Sequence, residues 1–124
     1  MIDHIYIKGL QEEYQKSDGR RILVEKKWPA RVDQNDFFID EWVNDLAPSK
    51  ALLKTATLDM SGVCEFVNAY WLELEMNIHL DPFILRVQEY NVITLVHNHE
   101  NISKLFAKVL KDYLNQILSL YKEH

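Results

Sequence analysis

Residues 21–28 read RILVEKKW, and the apolar residues near the start of this stretch indicate the fold class. Successive side chains of a β-strand point to opposite faces, so Ile22, Leu23 and Val24 would place apolar groups on both faces of a sheet. Such a run is typical of an inner strand that is covered on both sides. Trp28-Pro29 is expected to end the strand, because proline cannot donate a hydrogen bond to a neighbouring strand.

Further strands and helices are predicted on either side of this segment. Residues 2–7 form a short β-rich run, and residues 92–96, VITLV, form another strand. Strands separated by helical stretches indicate an α/β fold. We therefore predict that residues 1–124 form a single small three-layer domain with a short, largely parallel sheet flanked by helices.

The helical stretches are recognised by their apolar spacing and by capping residues. Apolar side chains recur at helical spacing within residues 63–74 and again, in a wide stripe, within residues 102–121. Short polar side chains can accept hydrogen bonds from the free amides at a helix start. The candidate N-cap residues are Ser49, Ser61 and Asp81.

The segment FFIDEWVNDL, residues 37–46, fits two structures. Its apolar residues at positions 38, 42, 43 and 46 follow helical spacing, whereas the opening FFI is also compatible with a short strand. We predict a short helix here and keep the strand as the alternative.

Composition and charge argue against several classes of protein. The chain has 124 residues and a net charge of −5, whereas sequence-independent nucleic-acid binding needs a strong positive field. No apolar run approaches the roughly 20 residues of a membrane span. The start, MIDHIYIKGL, also lacks the pattern of a signal peptide. Cys64 cannot form a disulfide within the chain, so we expect a cytoplasmic protein.

Polar and basic residues follow two of the predicted strands, at the place where α/β proteins bind ligands. In parallel sheets this place lies beyond the carboxyl ends of the strands. If the strands at 21–28 and 92–96 are neighbours, the residues after them face one crevice, together with the free amides that begin the last helix. Cationic side chains would hold an anion there, and Trp28 would form an apolar wall. The predicted ligand-binding residues are Arg21, Lys26, Lys27, Trp28, Arg31, His97, Asn98 and His99.

The run HNHE, residues 97–100, raises the question of a metal site. On a strand, His97 and His99 would point in the same direction. A zinc site needs a third and a fourth ligand, and no spacing in this chain requires one. The residues that could supply such a ligand are Glu100, His79, Cys64 and Asp81. We therefore expect a polar strand end with ordinary histidines, and neither a metal nor a cofactor.

Several segments of the chain, taken in order, resemble a known family. They are DGRRILVEKKWPARV, then WVNDLAPSKALLK, then the apolar spacing of residues 63–74, then VITLVHN leading into AKVLKDYL. These segments resemble the YeaO-like proteins, a bacterial and archaeal family of unknown function. The most specific piece is DLAPS, residues 45–49, followed by Trp28-Pro29. The resemblance implies a small cytoplasmic α/β domain, but it implies no established reaction.

Two stretches depart from the pattern that this resemblance implies. Members usually carry an acidic-Arg-Leu-Trp-Pro-Arg-Gly pattern after the second strand, whereas residues 25–31 read EKKWPAR. Lysine does not reproduce the planar fork of an arginine, so the change at Lys26 alters the geometry of any bound group. A His-Asn pair early in the last helix is replaced by KLF, residues 104–106. A catalytic site of the family would be partly lost here, so we assign no enzyme activity from the resemblance.

Two functional classes remain. The first is a domain that binds a small anionic ligand, and the second is an interaction protein that uses the last helix. At 1.5 Å per residue that helix is about 30 Å long, whereas short strands span only about 17–20 Å. Its last turns would overhang the sheet, so we expect Ile117, Leu118 and Tyr121 to pack against a second copy of the chain. The alternative is that residues 78–90 cover them within one chain.

Overall fold

A computed structural model of the chain describes residues 1–98 and 101–122. Within these residues the chain forms four strands, four α-helices and two short 3-10 turns. The strands are β1 (His4–Gly9), β2 (Arg20–Leu23), β3 (Glu41–Trp42) and β4 (Val92–His97). The helices are α1 (Lys50–Thr55), α2 (Met60–Glu75), α3 (Leu80–Val87) and α4 (Asn101–Lys122). Among the residues described here, no helix combines the length and the apolar character needed to cross a bilayer.

The strands form a single parallel sheet in the order β1-β4-β2-β3. β2 is an inner strand, since Ile22 lies opposite Leu95 of β4 on one side and Glu41 of β3 on the other. Ile22, Leu23 and Val24 are all fully buried. The prediction of an inner strand and of a small α/β domain with a parallel sheet is confirmed.

The two faces of the sheet are covered differently. Ile22 and Leu95 belong to the large core, which contains the apolar faces of α2, α3 and α4. Leu23 and Val96 point the other way and pack with Leu10 and Ile39 in a smaller core. That face is covered by irregular chain, residues 10–18 and 25–39, so the third layer of the domain contains no α-helix among the described residues.

The prediction of a helix in residues 37–46 is wrong. Residues 41–42 form β3, which pairs with β2, and a 3-10 turn follows at Asn44–Leu46. The backbone amides that a helix would use internally bond to β2 instead: Asp40 donates to the Arg21 carbonyl at 2.9 Å and Val43 donates to the Leu23 carbonyl at 3.0 Å. The alternative of a strand is correct in kind, although the strand begins after FFI.

One of the three predicted caps is confirmed and two are wrong. Ser49 caps α1, and its hydroxyl accepts a hydrogen bond from the Leu52 amide at 3.1 Å. α2 is capped by Asp59 rather than Ser61, because the Asp59 carboxylate lies 2.6 Å from the Gly62 amide. Asp81 lies inside the first turn of α3, which begins one residue earlier.

The end of α4 is covered within the chain. Leu118 is only 5% exposed and belongs to the large core, and Ile117 is half-buried against that core. The expected overhang is wrong at Leu118, because this side chain shares the large core with apolar residues of α2 and α3, which extend the covered surface of α4 beyond the sheet. Trp71 of α2, for example, meets Tyr113 edge-on with 4.8 Å between the ring centroids. The side chain of Tyr121 lies outside the described residues, and the predicted homodimer stays a prediction.

This arrangement predicts opposite outcomes for two leucines near the end of α4. Leu118→Ala should lower the free energy of unfolding by about 2–5 kcal/mol, because it removes buried methyl groups and leaves a cavity. Leu120 is 52% exposed, so Leu120→Ala should change that free energy by less than about 0.5 kcal/mol. Urea unfolding of both variants measures the difference. Equal, small effects would mean that Leu118 is not part of the core.

Candidate functional site

A crevice of about 540 Å³ opens at the carboxyl edge of the sheet, where β2 and β4 end side by side. Leu23 lies opposite Val96, so the segments after these strands leave the sheet together. The lining residues are Glu25, Lys26, Lys27, Trp28, Pro29, Lys50, Leu53, Lys54, Asn98, Ile102, Ser103 and Phe106. We predicted that residues 26–31 and 97–101 lie at the same edge of the sheet, and this is confirmed for residues 26–29 and Asn98, which line one crevice.

Four lysines form the charged part of the crevice, two on each side. Lys26 and Lys27 come from the segment after β2. Lys50 and Lys54 come from α1, where a spacing of four residues places them on one helix face. The lining also includes one carboxylate, Glu25, which accepts a hydrogen bond from the Asn98 amide at 2.8 Å and so ties the end of β4 to the segment after β2.

Trp28 forms one apolar wall of the crevice. Its indole N–H donates to the Val32 carbonyl at 2.8 Å, and its ring meets Trp42 edge-on at 5.5 Å between centroids. The Trp42 N–H in turn donates to the Glu25 carbonyl at 2.8 Å. These contacts fix the orientation of Trp28 at the side of the crevice.

The DLAPS motif holds the lysine-bearing helix α1 in position. The Glu73 carboxylate of α2 accepts from the Ser49 amide at 2.9 Å and from the Ser49 hydroxyl at 2.6 Å. The buried Tyr70 hydroxyl donates to the Leu46 carbonyl at 2.6 Å, and burial, together with the nearby Glu73 charge, raises the pKa of Tyr70. The motif therefore fastens the start of α1 to α2.

Lys50 and Lys54 were not among the predicted ligand-binding residues, although Lys50 directly follows the Ser49 cap and Lys54 lies about one helical turn later. The signal available was a pair of lysines four residues apart in the first helix after DLAPS. Their position beside Lys26 depends on the packing of α1 against α2, which no local pattern reveals.

Three of the predicted ligand-binding residues lie elsewhere, and a fourth, His99, lies outside the described residues. Arg31 is exposed, has a positive φ of 64° and does not line the crevice. His97 is 6% exposed and lies beside Gly9 of β1 rather than in the crevice. Its Nδ1 lies 2.6 Å from the Asn98 carbonyl, which can only accept, so Nδ1 carries the proton. In residues 1–98 and 101–122 no group of three or more His, Cys, Asp or Glu residues could hold a metal ion.

Arg21 was predicted to contact the ligand, but the structure places it in the interior. Its guanidinium is 1% exposed and lies 2.7 Å from the Asp18 carboxylate. The same guanidinium donates to the carbonyls of Phe37 and Phe38, each at 3.1 Å. Asp18 is itself buried and also pairs with Lys8 at 2.7 Å. Arg21 thus holds the irregular layer on the sheet.

The fold and the crevice together define a small α/β domain with a cationic cleft at the carboxyl edge of a parallel sheet. The chain belongs to the family described as the inactive DUF488-N3 subclade, whose profile matches residues 4–124. The resemblance to YeaO-like proteins is thereby confirmed.

Relatives from two bacterial genera are similar over nearly the whole chain. The uncharacterised protein YeaO of Escherichia coli is 27% identical over 114 residues, which cover 92% of this chain and 99% of that protein. An uncharacterised protein of Mycobacterium tuberculosis is 27% identical over 111 residues, which cover 90% of this chain and 93% of that protein. No solved structure matches the chain.

Two adjacent arginines allow a matched test of the buried ion pair. Arg21→Met should lower the free energy of unfolding by about 3–5 kcal/mol. The variant removes one of the two cationic partners of the buried Asp18 carboxylate and a donor to two backbone carbonyls. Arg20→Met should cost about 1 kcal/mol, because the Arg20 pair with Glu41 is partly exposed and Glu41 also pairs with Arg86. Urea unfolding at neutral pH compares the two variants. Similar losses would contradict a special role for Arg21.

The same pair predicts how stability depends on pH. Burial acts to raise the pKa of Asp18, but hydrogen bonds from Lys8, the Gln15 amide and Arg21 outweigh it, so this pKa lies below its usual value. A lowered pKa contributes stability that is complete above the unfolded-state pKa of about 3.9 and is lost as the pH falls through the lower folded-state pKa.

The test compares the unfolding free energies of the wild type and of Asp18→Asn along a pH series. The wild type should be the more stable protein at neutral pH, and its advantage should shrink below about pH 4. Other carboxylates titrate in both proteins, so the difference isolates Asp18. A difference that stays constant down to the acid limit of the measurement would show that Asp18 does not contribute in this way.

Proposed function

We propose that this domain binds a small anionic ligand in the crevice and catalyses no reaction on it. The observation that carries the proposal is the convergence of Lys26, Lys27, Lys50 and Lys54 on one concave surface. These lysines come from two segments separated along the chain, and the chain as a whole has a net charge of −5. A local cluster of positive charge on an acidic protein favours an anion at that place.

The physical strength of such a site is modest. Two unit charges 4 Å apart interact by about 1 kcal/mol in water, and each ammonium group acts as a point charge rather than as a planar fork. Four lysines therefore select the sign of the ligand, and added salt should weaken their effect. The open crevice allows small carboxylates or phosphates to reach the lysines.

The absence of catalysis is proposed from the subclade's description as inactive and from the nature of the replaced residues. Phe106, within the stretch that replaces the polar pair of the family pattern, forms part of the crevice floor and is 1% exposed. Lys26, at the first arginine position, keeps the positive charge but not the arginine geometry. At Lys26 the positive charge is kept but the planar fork of arginine is lost, and at residues 104–106 the polar His-Asn pair of the family pattern is lost.

Interaction through the last helix is the other candidate, and the described residues favour it less. Leu118 is buried within the chain, and Leu120 is the large apolar residue that α4 exposes among the described side chains. A single exposed leucine is normal on a monomer surface. Light scattering at micromolar concentration measures whether the chain is a dimer.

The anion proposal predicts different effects for two matched lysine pairs. A Lys50→Gln, Lys54→Gln double variant should bind inorganic pyrophosphate about tenfold more weakly than the wild type, as expected for a loss of about 1.4 kcal/mol. A Lys104→Gln, Lys108→Gln double variant changes two exposed lysines at the same spacing outside the crevice and should bind like the wild type. Isothermal titration calorimetry measures both affinities.

Equal affinities of the two double variants would contradict the proposal, as would wild-type binding that does not weaken with added salt. Circular dichroism of each double variant tests whether its fold is retained. All four substituted lysines, at positions 50, 54, 104 and 108, are exposed, so their replacement should leave the core unchanged.

A further inference from the structure

We propose that the ligand of this crevice is amphipathic: one carboxylate or phosphate group carried on a compact alkyl or aryl body. The inference rests on the proposed anion binding and names the chemical class of the anion. It is carried by the segregation of the crevice into an apolar floor and a charged rim, two surfaces that a simple inorganic anion would not both use.

The depth of the lining residues shows this segregation. Phe106 is buried at 1% exposure, and Leu53 and Ile102 are half-buried, so these side chains form the floor. Lys27 and Lys50 are exposed at the rim. Three of the four lysines are thus exposed, and the apolar lining side chains are buried or half-buried; Lys26 is half-buried, and Ser103, at 3% exposure, adds one hydroxyl among the deeper residues. A ligand with a charged end and an apolar end would match this arrangement.

Charge alone would supply little affinity in this crevice. The rim lysines are exposed, and water screens an exposed ion pair so strongly that its net contribution is small. Binding must also offset the lost translational and rotational freedom of the ligand. Packing an apolar body against Leu53 and Ile102, which are half-buried, removes apolar surface of the ligand and of these two side chains from water, and this contribution grows with the area covered. The floor should therefore supply most of the affinity, while the lysines select the sign of the charge.

The walls and the size of the crevice support a small organic molecule. Trp28 is fixed by its hydrogen bond to Val32 and by its contact with Trp42, so little side-chain freedom is lost when a ligand packs against it. A volume of about 540 Å³ lies within the range of small-molecule sites.

The test uses probes that vary the charged group and the apolar body separately, measured by calorimetry on the full chain. Octanoate should bind at least about tenfold more tightly than acetate, and phenyl phosphate more tightly than inorganic phosphate, because each larger probe covers part of the floor. Octanol, which has the same body without the charge, should bind more weakly than octanoate. Benzoate and phenyl phosphate carry the same phenyl body, so the tighter binder of these two identifies the preferred head group.

A variant of the floor provides the second arm. Leu53→Gln keeps a similar helix propensity and replaces the apolar end of the side chain with an amide, so octanoate should bind about fivefold more weakly while inorganic phosphate binds as in the wild type. Leu120→Gln, on an exposed leucine outside the crevice, is the matched control and should change neither affinity.

The outcomes separate this inference from the proposed function. If acetate and inorganic phosphate bind as tightly as their larger counterparts, the amphipathic ligand is excluded and anion binding stands. If octanol binds as tightly as octanoate, the charge plays no part and both proposals fail. If none of the anions binds at millimolar concentration, both proposals fail as well. The expected order, with the loss in Leu53→Gln alone, supports both.

Discussion

The buried guanidinium of Arg21 is the contact on which the second face of the sheet depends. No described helix covers that face, so the irregular chain there has to be held by specific bonds. Arg21 supplies them from one side chain, through Asp18 on one segment and the Phe37 and Phe38 carbonyls on another. Removing a charge from water costs several kcal/mol, and excellent geometry with additional hydrogen bonds is needed to offset that cost. The planar fork of arginine, with its several fixed donors, suits this task better than lysine.

Each bank of the crevice is anchored by a different device. The bank that carries Lys26 and Lys27 continues into the irregular layer, where Trp28 bonds to Val32 and packs with the smaller core. The opposite bank is α1, which is too short to be stable by itself. Its N-cap residue, Ser49, donates two hydrogen bonds to the Glu73 carboxylate of α2, and these hold the start of the helix. The position of the lysines thus follows from two sets of partly buried contacts around the crevice.

The features that could be predicted from the sequence are those set by neighbouring residues, and the features that could not are set by contacts between residues distant in the chain. The inner strand at Ile22 could be predicted because three consecutive apolar residues place apolar groups on both faces of a strand, which is a local pattern. Arg21 was predicted to contact a ligand because charged side chains usually lie on the surface, whereas its burial within β2 depends on carbonyls at least 16 residues away. Residues 37–46 showed helical spacing, but pairing with β2, which is distant in sequence, determined their structure. Lys50 was missed for the same reason, since its place in the crevice comes from tertiary packing.

The crevice also carries an electrostatic cost that bears on its use. Like charges four residues apart destabilise a helix by about 0.2–0.5 kcal/mol, and Lys50 and Lys54 stand in that relation on the short helix α1. Lys26 and Lys27 add further positive charge across the cleft. The proposed anion would add attractive interactions that offset this repulsion, and it would stabilise the folded chain increasingly as its concentration rises above its dissociation constant. Under the proposed anion binding, occupancy of the crevice and local stability of α1 would therefore be coupled, and a ligand that also covered Leu53 would strengthen that coupling through contact with the same helix.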